Sequence, residues 1–286
     1  EMCIRDRVLS EALKVFGHNL GEPQGSEIPT FRIEATRSGG QWWVTPPQTP
    51  RRRFASLARA LLFVEYTAVA LRFEDPGACI LHAALLQREG KGLALVGPCG
   101  SGKSTLAQAL WRSGWELLAD DNCQLAEAPD QGAWPLARRA SLRKGSFRWL
   151  EPDLLERIRR SPGYQPIRKG LVFHPRDIWP TKPSNAPVDL GYLVLLTGNR
   201  ADLPLRPLTS VDALRAVMPH SSAGRRGLLD GLQWLSSWVD YWRTFQLGRQ
   251  SLTEMVLNIH RITTSESRKG HACVSEKSNK HFFIGR

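Results

Sequence analysis

Eight residues, Gly97, Pro98, Cys99, Gly100, Ser101, Gly102, Lys103 and Ser104, satisfy the pattern G-x-x-x-x-G-K-[ST], with Thr105 next in line. At about 7% glycine, a match by chance somewhere in a chain of this length has odds of about 1 in 100. The flanks sharpen it. An apolar run, Leu93 to Val96, enters the glycines, and Ser104 to Trp111 carries helical spacing that Gly114 can stop. Backbone N–H groups of such a loop wrap phosphate oxygens without Cβ clashes, and the helix N-terminus adds the positive end of its dipole. Lys103 is expected at the β- and γ-phosphates and Ser104 at Mg²⁺, so the implied ligands are a nucleoside triphosphate and Mg²⁺.

The helix runs at once into "WELLADD", residues 115 to 121, a strand ending on Asp120 and Asp121. If that strand runs parallel to the one feeding the loop, its carboxyl end reaches the crevice that holds the phosphates. One carboxylate can then hold the metal and the other can take the proton of an attacking hydroxyl, the two jobs that phosphoryl transfer needs besides charge neutralisation. Strand alternation points the two side chains apart and leaves the roles unassigned. Acids that merely cap a loop are the plain alternative.

Around this motif the organisation is legible at lower resolution. "FRIEA" and "QWWVT" flank "TRSGG" as a hairpin, "TPPQTPRRR" links it onward, and Phe54 to Leu71 has helical spacing. "CILHAALLQ" and "GLALVG" read as a hairpin whose second strand feeds the loop. Leu154 to Arg160, Ser210 to Met218, Leu228 to Val239 and Leu252 to His260 read as helices, and Leu190 to Leu196 and "YWRTFQL" as strands. Alternating strands and helices give an α/β layered domain. The expected division is a small, partly β N-terminal segment with its linker at 8–53, the loop-bearing domain at 54–263 and a polar, aperiodic tail at 264–286. "EMCIRDR", residues 1 to 7, resembles a translated sequencing adapter and is set aside.

Composition excludes several classes. The longest apolar stretch, Ala60 to Leu71, is broken by Glu65 and falls short of a membrane span. The N-terminus lacks the regions of a secretory signal. Five cysteines, Cys3, Cys79, Cys99, Cys123 and Cys273, form no CxxC pair, which fits a reducing cytoplasm. The net charge of +12 comes from scattered residues rather than a basic stripe with stacking aromatics, so no nucleic-acid partner is expected. Its densest part, Arg138 to Arg176, is either a solvated face or a surface for phosphates or an acidic peptide. Trp234, Trp238 and Trp242 make one helical stripe, read first as core and second as a partner groove. "RSGGQ" precedes the glycine loop, and "HPRD" lacks kinase catalytic-loop spacing, so neither carries a role.

The stretch "ILHAALLQREGKGLALVGPCGSGKSTLAQALWRSGWELLADDNCQL" resembles the core of the HPr kinase family and its shorter relatives, densely over residues 80 to 125 and weakly to about residue 262. The weak part runs through "SLRKGS", "RKGLVFH" and "LRPLTSVDAL". The resemblance implies a P-loop nucleotide-binding domain of the HPr kinase/phosphoenolpyruvate carboxykinase type and an ATP-dependent kinase for a serine on a protein or peptide. It implies His82 as an active-site histidine on the strand before the loop, and it allows a homo-oligomer, since hexamers occur in that family. Full HPr kinases carry a glycine-rich signature with a glutamate after the acid pair, where this chain has "WPLARRASLRKGS". The short relatives, some encoded beside peptide-modification systems, are the nearer comparison. Arg168, Lys169 and His174 are further candidates for phosphate contact. A small-molecule kinase and a nucleotide-sensing module are the competing readings.

Overall fold

A computed structural model describes residues 32–35, 41–46, 50–74, 78–136, 139–150, 152–161, 164–173, 178, 186–198 and 205–264. Its centre is a six-stranded sheet of order β14-β15-β13-β6-β5-β7, built from β5 (Ala83–Arg88), β6 (Lys91–Val96), β7 (Glu116–Ala119), β13 (Asp189–Leu196), β14 (Leu205–Pro207) and β15 (Arg243–Leu247). β6, β13 and β15 are parallel, and β5 and β14 are antiparallel to their neighbours. Both faces of this sheet are covered. Leu93 and Leu95 contribute to one core and Ala94 and Val96 to the other, so the strand reads as an unbroken apolar run rather than an alternation.

One face carries α2 (Lys103–Arg112), α3 (Pro152–Arg160) and α6 (Leu252–Thr264) with a small sheet of β10 (Ala140–Arg143), β12 (Gly170–Phe173) and β11 (Gln165–Ile167). The other carries α4 (Ser210–Val217) and α5 (Leu228–Tyr241). The mixed α/β architecture and the expected helices and strands of this part are present, with ends moved by a few residues. Trp234, Trp238 and Trp242 are buried in the second core, and the indole N–H groups of Trp234 and Trp238 both donate to Ala126 O, at 3.0 and 3.1 Å. The stripe is therefore core packing and not an exposed interface.

Two arrangements differ from the sequence expectation. "CILHAALLQ" is not one strand: β4 (Cys79–Leu81) pairs with β8 (Cys123–Leu125), which pairs in turn with β9 (Ala133–Pro135), while β5 belongs to the central sheet. His82 is the residue at the break. Its N–H donates to His220 O at 2.7 Å instead of to a strand of either sheet. Every strand residue around it is buried, which hides the break from any periodicity. The second difference is that β7 runs in the direction of β6 with β5 between them. Both carboxyl ends still lie on one edge of the sheet. The β5–β6 hairpin closes through Glu89 and Gly90, both at positive φ, as a two-residue turn of that kind requires.

β1 (Arg32–Ala35), β2 (Trp42–Thr45) and β3 (Arg52–Phe54) form the N-terminal antiparallel sheet, so the expected hairpin gains a third strand from the end of the proline-rich link. β3 straddles the 53/54 boundary, and α1 (Leu57–Glu74) packs Ala60 and Val64 against Val44 of β2. The opposite attachment is ionic. Glu65 on α1 is buried and accepts from Arg139 Nε at 3.0 Å and also from its backbone N–H. No helix among the described residues is long and apolar enough to cross a membrane. Residues 1–31 and 265–286, with the expected adapter remnant and tail, lie outside the described residues, as does His174.

Candidate functional site

The glycine loop leaves the end of β6 and turns into α2. Gly97 must be glycine: a Cβ there would stand 2.4 Å from Leu196 O at the end of β13, and its φ is +150°. Gly102, at φ 102°, ψ 10°, is the residue before the helix, which has neither a capping side chain nor an acidic residue in its first turn. The first N–H groups of α2 are thus left for an anion. Lys103 folds back beneath the loop. Its Nζ donates to Gly97 O at 2.7 Å and Pro98 O at 3.4 Å, and only 8% of the residue is exposed. Burial holds its pKa below the ordinary lysine value, with Arg143 adding to that effect and Asp120 opposing it.

A cleft of about 530 Å³ opens over this loop. Gly100 to Thr105 line it together with His82, Asp120 and Asp121. The paired acids arrive at the end of β7 as their position after an apolar strand requires. Asp120 is 5% exposed, and its Oδ2 accepts from Ser141 N–H at 3.4 Å. Asp121 is more open, and its Oδ1 lies 3.2 Å from His82 Nδ1. Asn122 Oδ1 stands 3.3 Å from the same nitrogen. Oxygen atoms of both residues face Nδ1, which suits a proton on that nitrogen.

The structure therefore brings together the glycine loop, Lys103, Ser104, Thr105, His82 and both aspartates. It also adds residues that no motif marked. Arg143 Nη2 donates to Cys99 Sγ at 2.8 Å, and Arg143, Arg148 and Arg249 line the cleft with Lys103. Four cations against two carboxylates suit a polyphosphate carrying a divalent metal. His220 supports His82 through its carbonyl, and burial lowers its own pKa, with Lys103 and His82 acting in the same direction. The only signal for Arg143 and Arg148 in the chain is their place in its most basic stretch; Asn122 follows the acid pair directly, and nothing local marks Arg249 or His220. Arg168 and Lys169 sit in the β11–β12 turn and are absent from the cleft lining. Lys169 O instead accepts from Lys144 N–H at 3.0 Å.

Among the described residues no three His, Cys, Asp or Glu side chains gather as a metal cage. The two carboxylates in the cleft suit Mg²⁺, which is held by one or two carboxylates together with phosphate oxygens and water.

No family model and no curated protein matches the chain. Among solved structures, the HPr(Ser) kinase/phosphatase from Coxiella burnetii is similar at 15% identity and a TM-score of 0.31, over 69% of this chain and 98% of that one.

Proposed function

We propose that the protein is an ATP-dependent phosphotransferase that moves the γ-phosphate to a serine or threonine hydroxyl of a small protein or peptide. The observation that carries this reading is the single cleft in which an uncapped helix start and a buried lysine face an acid pair with a histidine on one of the acids. The loop N–H groups and Lys103 would bind the triphosphate, with Arg143 beside them. Ser104 and Asp120 would hold Mg²⁺, with Asp121 available to it. The Asp120 charge acts on Lys103, which supports giving it the phosphate side. Bound there, the metal supplies charge neutralisation on the phosphate oxygens.

Asp121 would take the acceptor's proton, with His82 Nδ1–H oriented on its Oδ1. The acceptor oxygen forms its bond to the γ-phosphorus as the bond from that phosphorus to the β,γ-bridging oxygen breaks. ADP leaves with that oxygen, and the hydroxyl proton goes to the carboxylate. Most of the acceleration comes from positioning and fixed charge.

The test is transfer of labelled γ-phosphate from Mg-ATP to candidate peptides, chiefly those encoded beside the gene. Label on a serine that vanishes in Asp121→Asn while ATP still binds supports the reading. Undiminished labelling by the double variant Asp120→Asn, Asp121→Asn would remove the pair from the chemistry, and label on a metabolite instead of a peptide would replace the acceptor.

A further inference from the structure

One stretch of chain, residues 141 to 149, supplies cleft-lining residues throughout and touches in turn an acid, the glycine loop and the first turn of α2. At its start Ser141 N–H donates to Asp120, at the acid end. Two residues on, Arg143 touches Cys99 of the loop. Ser146 follows, where its hydroxyl accepts from Thr105 Oγ1 at 3.1 Å in the first turn of α2. Trp149 comes last along the chain and lines the same cleft.

Trp149 is 48% exposed and lines the cleft, so its ring is open to a ligand there. It is nonetheless firmly placed. Phe147 and Leu150 pack into the core on either side, and Leu150 N–H donates to Phe147 O at 3.1 Å. The Arg148 guanidinium lies 5.0 Å from the ring centroid. Tyr66, the other exposed aromatic of the cleft at 37%, is on α1 next to Glu65, whose partner Arg139 leads directly into Ser141 at the acid end.

A triphosphate whose γ-phosphate faces Asp120 and Asp121, and whose other phosphates follow the loop to the helix start, delivers its nucleoside toward Trp149. We propose that Trp149 is the stacking platform for the nucleotide base, with Arg148 holding the indole in place and purines favoured by their larger ring overlap. This rests on the nucleotide reading above and deepens it. Stacking on an indole needs no donor or acceptor pattern, so the platform adds affinity with little choice between adenine and guanine.

The experiment is calorimetric binding of Mg-ATP and of inorganic tripolyphosphate with Mg²⁺ to the whole chain, as wild type, Trp149→Ala and Trp149→Phe. Wild type should bind ATP more tightly than tripolyphosphate. Trp149→Ala should weaken ATP about tenfold, the order of one lost base–aromatic stack, and leave tripolyphosphate unchanged; Trp149→Phe should recover most of the loss. Equal weakening of both ligands would make Trp149 a support for the loop and overturn the platform, as would unchanged ATP affinity in the alanine variant. A raised KM for the peptide acceptor alone would move the residue to the acceptor's side and overturn it too. Tripolyphosphate binding as well as ATP in the wild type would sink the platform and spare the phosphate site, whereas failure of both ligands to bind would sink the nucleotide reading with it.

Discussion

The two ends of the helix Lys103–Arg112 obey opposite rules. At its C-terminus the orphaned carbonyls are consumed by the protein. Gly114, at φ 98°, lets its own N–H donate to Trp111 O and the Trp115 N–H to Leu110 O, at 3.0 and 3.1 Å, while Ser113 Oγ donates to Leu110 O. His260 closes the end from α6. Arg88 can only donate, so its 2.7 Å contact requires His260 Nδ1 to be unprotonated, and the Nε2–H then donates to Ser113 Oγ at 2.9 Å. At the N-terminus no side chain caps the helix, a lysine is buried beneath the loop, and the surrounding charge is mostly positive. One end is built for stability and the other is left incomplete, which is the condition expected where a ligand supplies the missing groups.

The largest effect that would break this comparison is at Lys103. Lys103→Met should reduce Mg-ATP affinity about 100-fold through loss of charge-assisted hydrogen bonds and abolish transfer. It should not lower the thermal midpoint, because burying the ammonium disfavours its charged form. A fall of many degrees with ATP affinity intact would show that Lys103 serves the fold.

Gly114→Ala is the mirror experiment. Nothing would touch the new Cβ, so the cost is the left-handed backbone, about 1–2 kcal/mol. Urea unfolding should register that loss, and calorimetry should find nucleotide affinity unaltered. Weakened binding at unchanged stability would erase the distinction between the two ends.

A smaller effect is expected from acid. Burial, and then Arg88, depress the His260 pKa below the ordinary 6.5, and burial does the same for His220. The unfolded chain thus takes up protons at a pH where the folded one resists, so stability is intact above 6.5 and declines as pH falls beneath it. His260→Gln should flatten part of that decline in midpoints measured at several pH values. An unchanged slope would mean that His260 does not account for the decline.

Much of the N-terminal end of α2 could be read from the chain because its constraints are local. The glycines, the lysine and the following hydroxyls must be consecutive to wrap a phosphate, and the acids stand at the end of the next strand. Gly114 likewise announces the helix stop. His82 was harder to place because its neighbours are buried in two different sheets, which leaves no change of period at the crossing. The contributions of Arg249, His220 and His260 come from residues more than 100 positions away from their partners, and no local pattern encodes such meetings. The tryptophan stripe was legible as a stripe, but only packing against Ala126 decides that it faces inward.

The stitching at His82 also governs when the site can exist during synthesis. The Ser222 hydroxyl accepts from Ile80 N–H at 2.9 Å and donates to Ala78 O at 3.2 Å, and Ser222 N–H donates to Ile80 O at 2.8 Å. With the His220 carbonyl on His82, these bonds finish the edge of β4 from a segment made about 140 residues later. The floor under Gly97 is likewise contributed by Leu196. A chain still on the ribosome, with its glycine loop and both aspartates already outside, therefore has a nucleotide motif but no finished site until the last third has emerged. Such long-range closure is slow relative to local helix formation. Premature release or stalling before Ser222 should yield chains without an assembled cleft.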